Sequence, residues 1–169
     1  FQLYYDNEIN WDKKLQNFHE LCKEIKNNKT SDYDCIIPVS GGKDSTYQTH
    51  LITKIGELKP LLVSFEPSRP TEVGKYNLNN LTKSFNCDLI QLKKSQETYK
   101  KLSKIGFDVV GDHEWPNHVG IFCWPVQIAL IHNIKTIFYG ESTGNIGLGR
   151  WEELVNQRHI TDEHMEDIF

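Results

Sequence analysis

The sequence lacks most of the features that would place a chain of 169 residues in a specialised class. It holds four cysteines, Cys22, Cys35, Cys87 and Cys123, and no two are close enough for a CxxC redox or zinc pair. They are therefore read as free thiols in a reducing compartment, with Cys35 and Cys123 as small apolar filler. No apolar stretch is long enough to span a bilayer and no signal peptide opens the chain, so no membrane role is expected. Positive charge is not in excess. A net charge of -4 gives no electrostatic reason to expect a polyanionic partner such as tRNA, although a basic groove on one face would be compatible with it. Internal repeats and low-complexity tracts are missing too. What these absences leave is a soluble, cytoplasmic domain. Its first residue is Phe1 rather than Met, which fits a trimmed chain or a fragment.

Hydrophobic residues make up 38% of the chain and charged residues 25%, a balance that supports a folded core rather than disorder. The length suits one domain, residues 1–169, made of an N-terminal helix (1–31), an α/β core (32–141) and a C-terminal loop and helix (142–169). From Trp11 to Lys26, Leu15, Phe18, Leu21, Cys22 and Ile25 recur at helical spacing. Short apolar runs at Tyr33–Val39, Leu61–Phe65, Asp88–Leu92 and Lys135–Tyr139 predict four strands. Helices are predicted at Lys43–Ile55, Thr71–Phe85, Ser95–Ile105 and His118–His132, with Thr71 as an N-cap and a loop over Gly106–Asn117. Helices alternating with buried strands predict an open parallel sheet covered on both faces, a Rossmann-like α/β fold. In such sheets the ligand crevice lies beyond the carboxyl ends of the strands, where Ser40, Glu66 and Glu141 are expected.

The densest signal is Ser40-Gly41-Gly42-Lys43-Asp44-Ser45, directly after the first strand. Two glycines let the backbone turn tightly and approach an anion, and the free amides of the turn and helix start point at it. The hydroxyls of Ser40 and Ser45 add donors and Lys43 adds positive charge. Asp44 would repel phosphate unless a divalent cation stood between them, and Mg²⁺ binds carboxylate and phosphate oxygens together. The string is not GxxxxGK[ST], so it is not the P-loop of kinase-like NTPases. It resembles the SGGxDS motif of the PP-loop ATP pyrophosphatases, the superfamily of GMP synthetase, NAD synthetase and tRNA thiolation enzymes. That resemblance implies ATP cleavage between the α- and β-phosphates, with Asp44 and Glu141 holding Mg²⁺. It also places Ser40, Gly41, Gly42, Lys43, Asp44, Ser45, Phe65, Gly140 and Glu141 around the nucleotide.

Four stretches together are similar to the N-acetyl sugar amidotransferase family of surface-polysaccharide and flagellar sugar biosynthesis. They are Asp34–Ser45; Thr71-Glu72-Val73-Gly74 with Asn77 and Leu81; Gly111-Asp112-His113-Glu114-Trp115-Pro116-Asn117-His118-Val119-Gly120-Ile121; and Tyr139-Gly140-Glu141. The resemblance runs from Trp11 to Glu141, and the stretch around Trp115 and Pro116 separates this family from other PP-loop enzymes. It implies conversion of a sugar acetamido group to an acetamidino group, with ATP activating the amide oxygen. It also implies ammonia from a separate glutaminase subunit, and the chain shows no glutaminase Cys/His motif of its own. Relatives of this kind begin with a cysteine-rich segment that looks zinc-binding, which would precede the region seen here, and they extend beyond it.

For the acceptor, Glu72, Asn77, Trp115, Asn117 and His118 are the expected contacts. Trp115 would stack on a sugar or base, and Asn117 and His118 would meet the acetamido group. Lys43, Asp44 and His118 are the expected catalytic set, with His118 as a general base on ammonia. Each has a plainer reading: Trp115 as core, His118 as a helix cap, Glu72 as a helix-dipole partner and Asn77 as a solvated position. Lys93-Lys94 and Lys100-Lys101 read as solvated helix charges. His159, Asp162, Glu163 and His164 read as a polar tail rather than a metal cluster. Ser142–Arg150, with Gly144, Gly147 and Gly149, reads as a mobile loop. Two other functions remain open: a PP-loop sulfur transferase using Cys87 or Cys123, and a nucleotide-binding module without catalysis.

Overall fold

The computed structural model describes residues 10–140. The chain divides into two compact units, Phe1–Phe138 and Tyr139–Phe169, and the second contributes only Tyr139 and Gly140 to the described residues. The expected C-terminal loop and helix, Glu141 and the His159–His164 segment therefore lie outside the described residues.

Helix α1 (Trp11–Asn27) opens at Asn10, whose side chain accepts a hydrogen bond from the Lys13 amide at 2.9 Å. Cys22 and Ile25 bury its core face, with Phe18 packed alongside, whereas Leu15 and Leu21 stay exposed. The buried stripe is thus narrower than the apolar spacing predicts. Strand β1 (Cys35–Pro38) leads through residues 39–42 into α2 (Lys43–His50), which continues as a single π-turn, Leu51–Ile55. Strand β2 (Pro60–Phe65) follows, then α3 (Glu72–Phe85), capped by Thr71 as expected. Next come β3 (Leu89–Leu92), α4 (Gln96–Val110) and α5 (Trp115–Ile131).

The largest boundary shifts are at the end of α4 and the start of α5. Helix α4 runs on to Val110 because Gly106 is a close-packed helical position rather than a breaker, and Gly111, at φ +75°, ends the helix instead. Helix α5 starts at Trp115 because Pro116 falls in its first turn, where a missing amide proton costs no hydrogen bond. The predicted loop over Gly106–Asn117 contracts accordingly.

The three strands pair in parallel, in the order β1-β2-β3, with Pro38 opposite Val63 and Phe65 opposite Leu92. The predicted fourth strand is reduced to one parallel bridge, Ile137 to Ile36, on the other edge of β1. Two hydrogen bonds of 2.9 Å hold it, Ile36 N to Thr136 O and Phe138 N to Ile36 O. Alternate strand residues feed two cores. Cys35, Ile37, Val39 and Leu62 pack with α1, α2 and α3, while Ile36, Leu61 and Val63 pack with Ile128 and Ala129 of α5. Helices therefore cover both faces of a parallel sheet, as the sequence predicts. The chain advances from β1 to β3 and then returns to the far side of β1. That reversal is a topological switch point, and it lies at the carboxyl end of β1.

Candidate active site

The loop after β1 is held open by its backbone. Gly41 has φ +80°, and a Cβ built on it would lie 3.0 Å from the Leu78 amide and 3.1 Å from the Gly74 carbonyl oxygen. Only glycine meets both the left-handed conformation and the close approach of α3. Gly42 is the N-cap residue of α2 and has no side chain to satisfy the first-turn amides. The Gly42 carbonyl instead collects the chain that follows, accepting from Ser45 Oγ at 3.1 Å, Thr46 N at 3.1 Å and Thr46 Oγ1 at 2.9 Å. The amides of the first α2 turn are free by helix geometry and point out past the strand end, an arrangement suited to an anion.

Lys43 and Asp44 stand exposed at that turn, with Lys43 Nζ 2.6 Å from Asp44 Oδ1. Ser40 is exposed, and its hydroxyl accepts from the Gly42 amide at 3.4 Å. Among the described residues no group of three or more His, Cys, Asp or Glu side chains could cage a metal. A lone carboxylate beside an anion cradle nevertheless fits Mg²⁺, which keeps water and phosphate oxygens as most of its ligands. Asp44 is thus the described residue that would hold it; Glu141, its expected partner, is outside the described set.

A second polar cluster forms at the start of α5. Asp112 Oδ1 accepts the Glu114 amide at 2.8 Å, and Asp112 Oδ2 lies 3.0 Å from His118 Nδ1. The bond from the Glu114 amide, helped by His118, holds the Asp112 carboxyl below its ordinary pKa, so it stays ionised. With Nδ1–H directed at a carboxylate, a neutral His118 carries its lone pair on Nε2, on an exposed ring. That is the tautomer a general base requires.

Asn117 is buried and its orientation is unambiguous. Lys94 Nζ donates to its Oδ1 at 3.3 Å, and its Nδ2 donates to Glu114 Oε2, which also accepts from Tyr99 Oη at 3.1 Å. Asn117 therefore organises this corner with both ends of its amide. Trp115 is half-buried, and a Cβ on Gly106 would come within 3.2 Å of its own Cβ, so it joins α4 to α5. Phe65, at the end of β2, packs against α5, and a Cβ on Gly120 would fall 2.0 Å from its ring.

Other expected contacts are placed less decisively. Glu72 and Asn77 are both exposed on α3, and Glu72 pairs with Lys75 at 2.8 Å, which lowers its carboxyl pKa. Gly140 lies in the second compact unit.

The residue that sequence reasoning missed is Lys94. It is half-buried, with its ammonium 3.7 Å from the centre of the Phe65 ring and 4.7 Å from that of Tyr99. Its only signal in the sequence is its place two residues past β3, at the carboxyl edge. The cysteines are free, as expected, and burial raises the thiol pKa of Cys22, Cys35, Cys87 and Cys123 alike. Such thiols are protonated and poorly nucleophilic.

No protein-family model and no curated protein matches the sequence. Solved structures do. The NH3-dependent NAD synthetase from Campylobacter jejuni subsp. jejuni superposes with a TM-score of 0.62 at 14% identity, over 83% of this chain and 61% of that one. The NMN synthetase from Francisella tularensis gives a TM-score of 0.55 at 16% identity, over 73% of this chain and 51% of that one. This chain thus spans less than two thirds of either structure. At such identities the likeness is one of fold: the chain shares the parallel, Rossmann-like α/β architecture of these two synthetases.

Proposed function

We propose that the chain is an ATP pyrophosphatase-type amidotransferase of the PP-loop superfamily, acting on the acetamido group of an N-acetylated sugar. The observation that carries this reading is the SGGKDS loop. It is a glycine-built anion cradle with an exposed Lys-Asp pair, set at the switch point of a parallel sheet. The fold shared with an NH3-dependent synthetase supports ATP-driven amidation in general. The sugar rests on the resemblance of residues 111–121 and on the polar corner that those residues build.

An amide is a poor electrophile, and its oxygen is a poor leaving group. Attack of that oxygen on the α-phosphorus of ATP forms a P–O bond and expels pyrophosphate with the electron pair. Ammonia then adds to the activated carbon, and the C–O bond breaks as AMP leaves. The loop amides and Lys43 would hold the phosphates. Asp44 would hold a magnesium ion, whose chemistry is to neutralise phosphate charge. His118, oriented by Asp112, would take the proton that the attacking nitrogen loses. ATP, Mg²⁺, an N-acetylated nucleotide sugar and a separate glutaminase delivering ammonia complete the proposal.

A sulfur-transferase reading is disfavoured because the pKa values of Cys87 and Cys123 are raised rather than lowered. The test is mass spectrometry of reactions containing ATP, ammonia and a panel of N-acetylated nucleotide sugars. A product in which NH replaces O, formed together with AMP and pyrophosphate, is expected. A sulfur-containing product when sulfide is supplied, or ATP binding with no pyrophosphate release, would discard the reading.

A further inference from the structure

The chain's return to the far edge of β1 makes a single bridge, and Pro38 explains why the pairing stops there. Ile36 uses both of its backbone groups on that edge, donating to Thr136 O and accepting from Phe138 N, each at 2.9 Å. A parallel ladder advances by two residues, so the next donor, the one facing Phe138 O, is the amide of residue 38. That residue is proline and has no N–H. The sheet therefore leaves the Phe138 carbonyl without its ladder partner. A side chain takes the place of the missing amide: Gln48 Nε2 donates to Phe138 O at 2.8 Å.

The origin of that donor ties two parts of the site together. Gln48 lies on α2 one turn after Asp44, so the two share one side of the helix. Phe138 O can only accept, which fixes the amide with Nε2 toward it. The other end, Oε1, is buried without a hydrogen-bond partner among the described residues. Burying an unpaired carbonyl is unfavourable, so packing alone would favour an apolar residue at this position. What the half-buried glutamine contributes is its one bond to the strand end. Past Phe138 the chain runs on to Glu141, three residues later and outside the described residues.

We infer that Gln48 is a positioning residue of the nucleotide site. It replaces the donor that Pro38 removes, and so ties the point where the chain leaves the sheet to the helix that carries Asp44. The inference rests on the proposed reading of the SGGKDS loop as a site for ATP and Mg²⁺. The amino-terminal end of the same segment supplies a control, because there Thr30 Oγ1 donates to Asn133 O at 2.6 Å.

The experiment measures Mg·ATP binding by calorimetry, without acceptor or ammonia, together with amide hydrogen exchange over residues 134–140. Gln48→Met keeps the length of the side chain and removes the donor. It should weaken Mg·ATP binding about three- to tenfold, the size of one hydrogen bond, and speed exchange of the Phe138 amide. Thr30→Val loosens the other end, and should lower the melting temperature while leaving Mg·ATP binding within about twofold of wild type. Pro38→Val restores a backbone N–H. Added to Gln48→Met, it should return both binding and exchange to near their wild-type values. Wild-type affinity in Gln48→Met, an equal loss in Thr30→Val, or a double variant as weak as Gln48→Met would each overturn the inference. The two proposals fail separately. Pyrophosphate release with Mg·ATP binding that ignores Gln48 keeps the proposed function and discards this inference, whereas Gln48-dependent binding without pyrophosphate release does the opposite.

Discussion

The anion loop and the polar corner at the start of α5 share one edge of the sheet but are built in different ways. The loop is made of backbone: a left-handed Gly41, an N-cap glycine and free helix amides. The corner is made of side chains from four places, Phe65 of β2, Lys94 after β3, Tyr99 of α4, and the Asp112–His118 stretch. Backbone sites are written in contiguous residues; side-chain sites are assembled by packing. In the proposed chemistry the first handles the common reagent, ATP, and the second chooses what ATP activates.

The contrast can be broken by mutation, and the largest effect belongs to the loop. Gly41→Val would put a branched side chain at φ +80° and against the Leu78 amide. Strain of about 1–3 kcal/mol is expected, with displacement of α2 from α3 and loss of AMP formation. Circular dichroism should show the sheet and helices retained. AMP formation at the wild-type rate would refute the backbone account.

Asp44→Asn tests the metal role. AMP formation should drop by about a hundredfold or more, and added magnesium should no longer change the rate. Unchanged magnesium dependence would remove Asp44 from that role.

In the corner, Gly120→Ala drives a methyl group into the Phe65 ring. It should cost about 1–3 kcal/mol by overpacking, read as a lower melting temperature. Asp112→Asn acts more locally. It frees His118 and should slow amidination by roughly ten- to a hundredfold while pyrophosphate release persists. Water then replaces ammonia on the activated carbon, so that AMP leaves with the starting amide and ATP cleavage is uncoupled from product. Equal loss of both would merge the two regions into one functional unit. The smallest effect is expected from replacing Cys87 and Cys123 with serine, which should leave amidination within about twofold of wild type.

The same contrast explains what could be read in the sequence. Strand–glycine–helix order, the Thr71 cap and the two-faced sheet were all legible, because local residue choice sets them directly. The start of α5 was not: the sequence puts Trp115, Pro116 and Asn117 in the loop over Gly106–Asn117, whereas Pro116 sits in the first turn of the helix, where its missing amide proton costs nothing. The fourth strand was overread: an apolar run from Lys135 to Tyr139 makes one bridge to Ile36 rather than a ladder. Lys94 was hidden for a physical reason. Two adjacent lysines look solvated, and only the register of β2 and β3 reveals that one of them lies over Phe65. Asn117 was expected from the sequence to meet the acetamido group; what the sequence could not show is that it is buried and that its amide bonds Lys94 and Glu114.

The central claim is that the loop directs cleavage of ATP between the α- and β-phosphates. It is tested most directly by phosphorus NMR of ATP turnover with ammonia and an N-acetylated nucleotide sugar, in the wild-type and Asp44→Asn chains. The account predicts AMP and pyrophosphate from the wild type and neither from the variant. ADP and inorganic phosphate, or AMP formation that Asp44→Asn leaves unchanged, would contradict it.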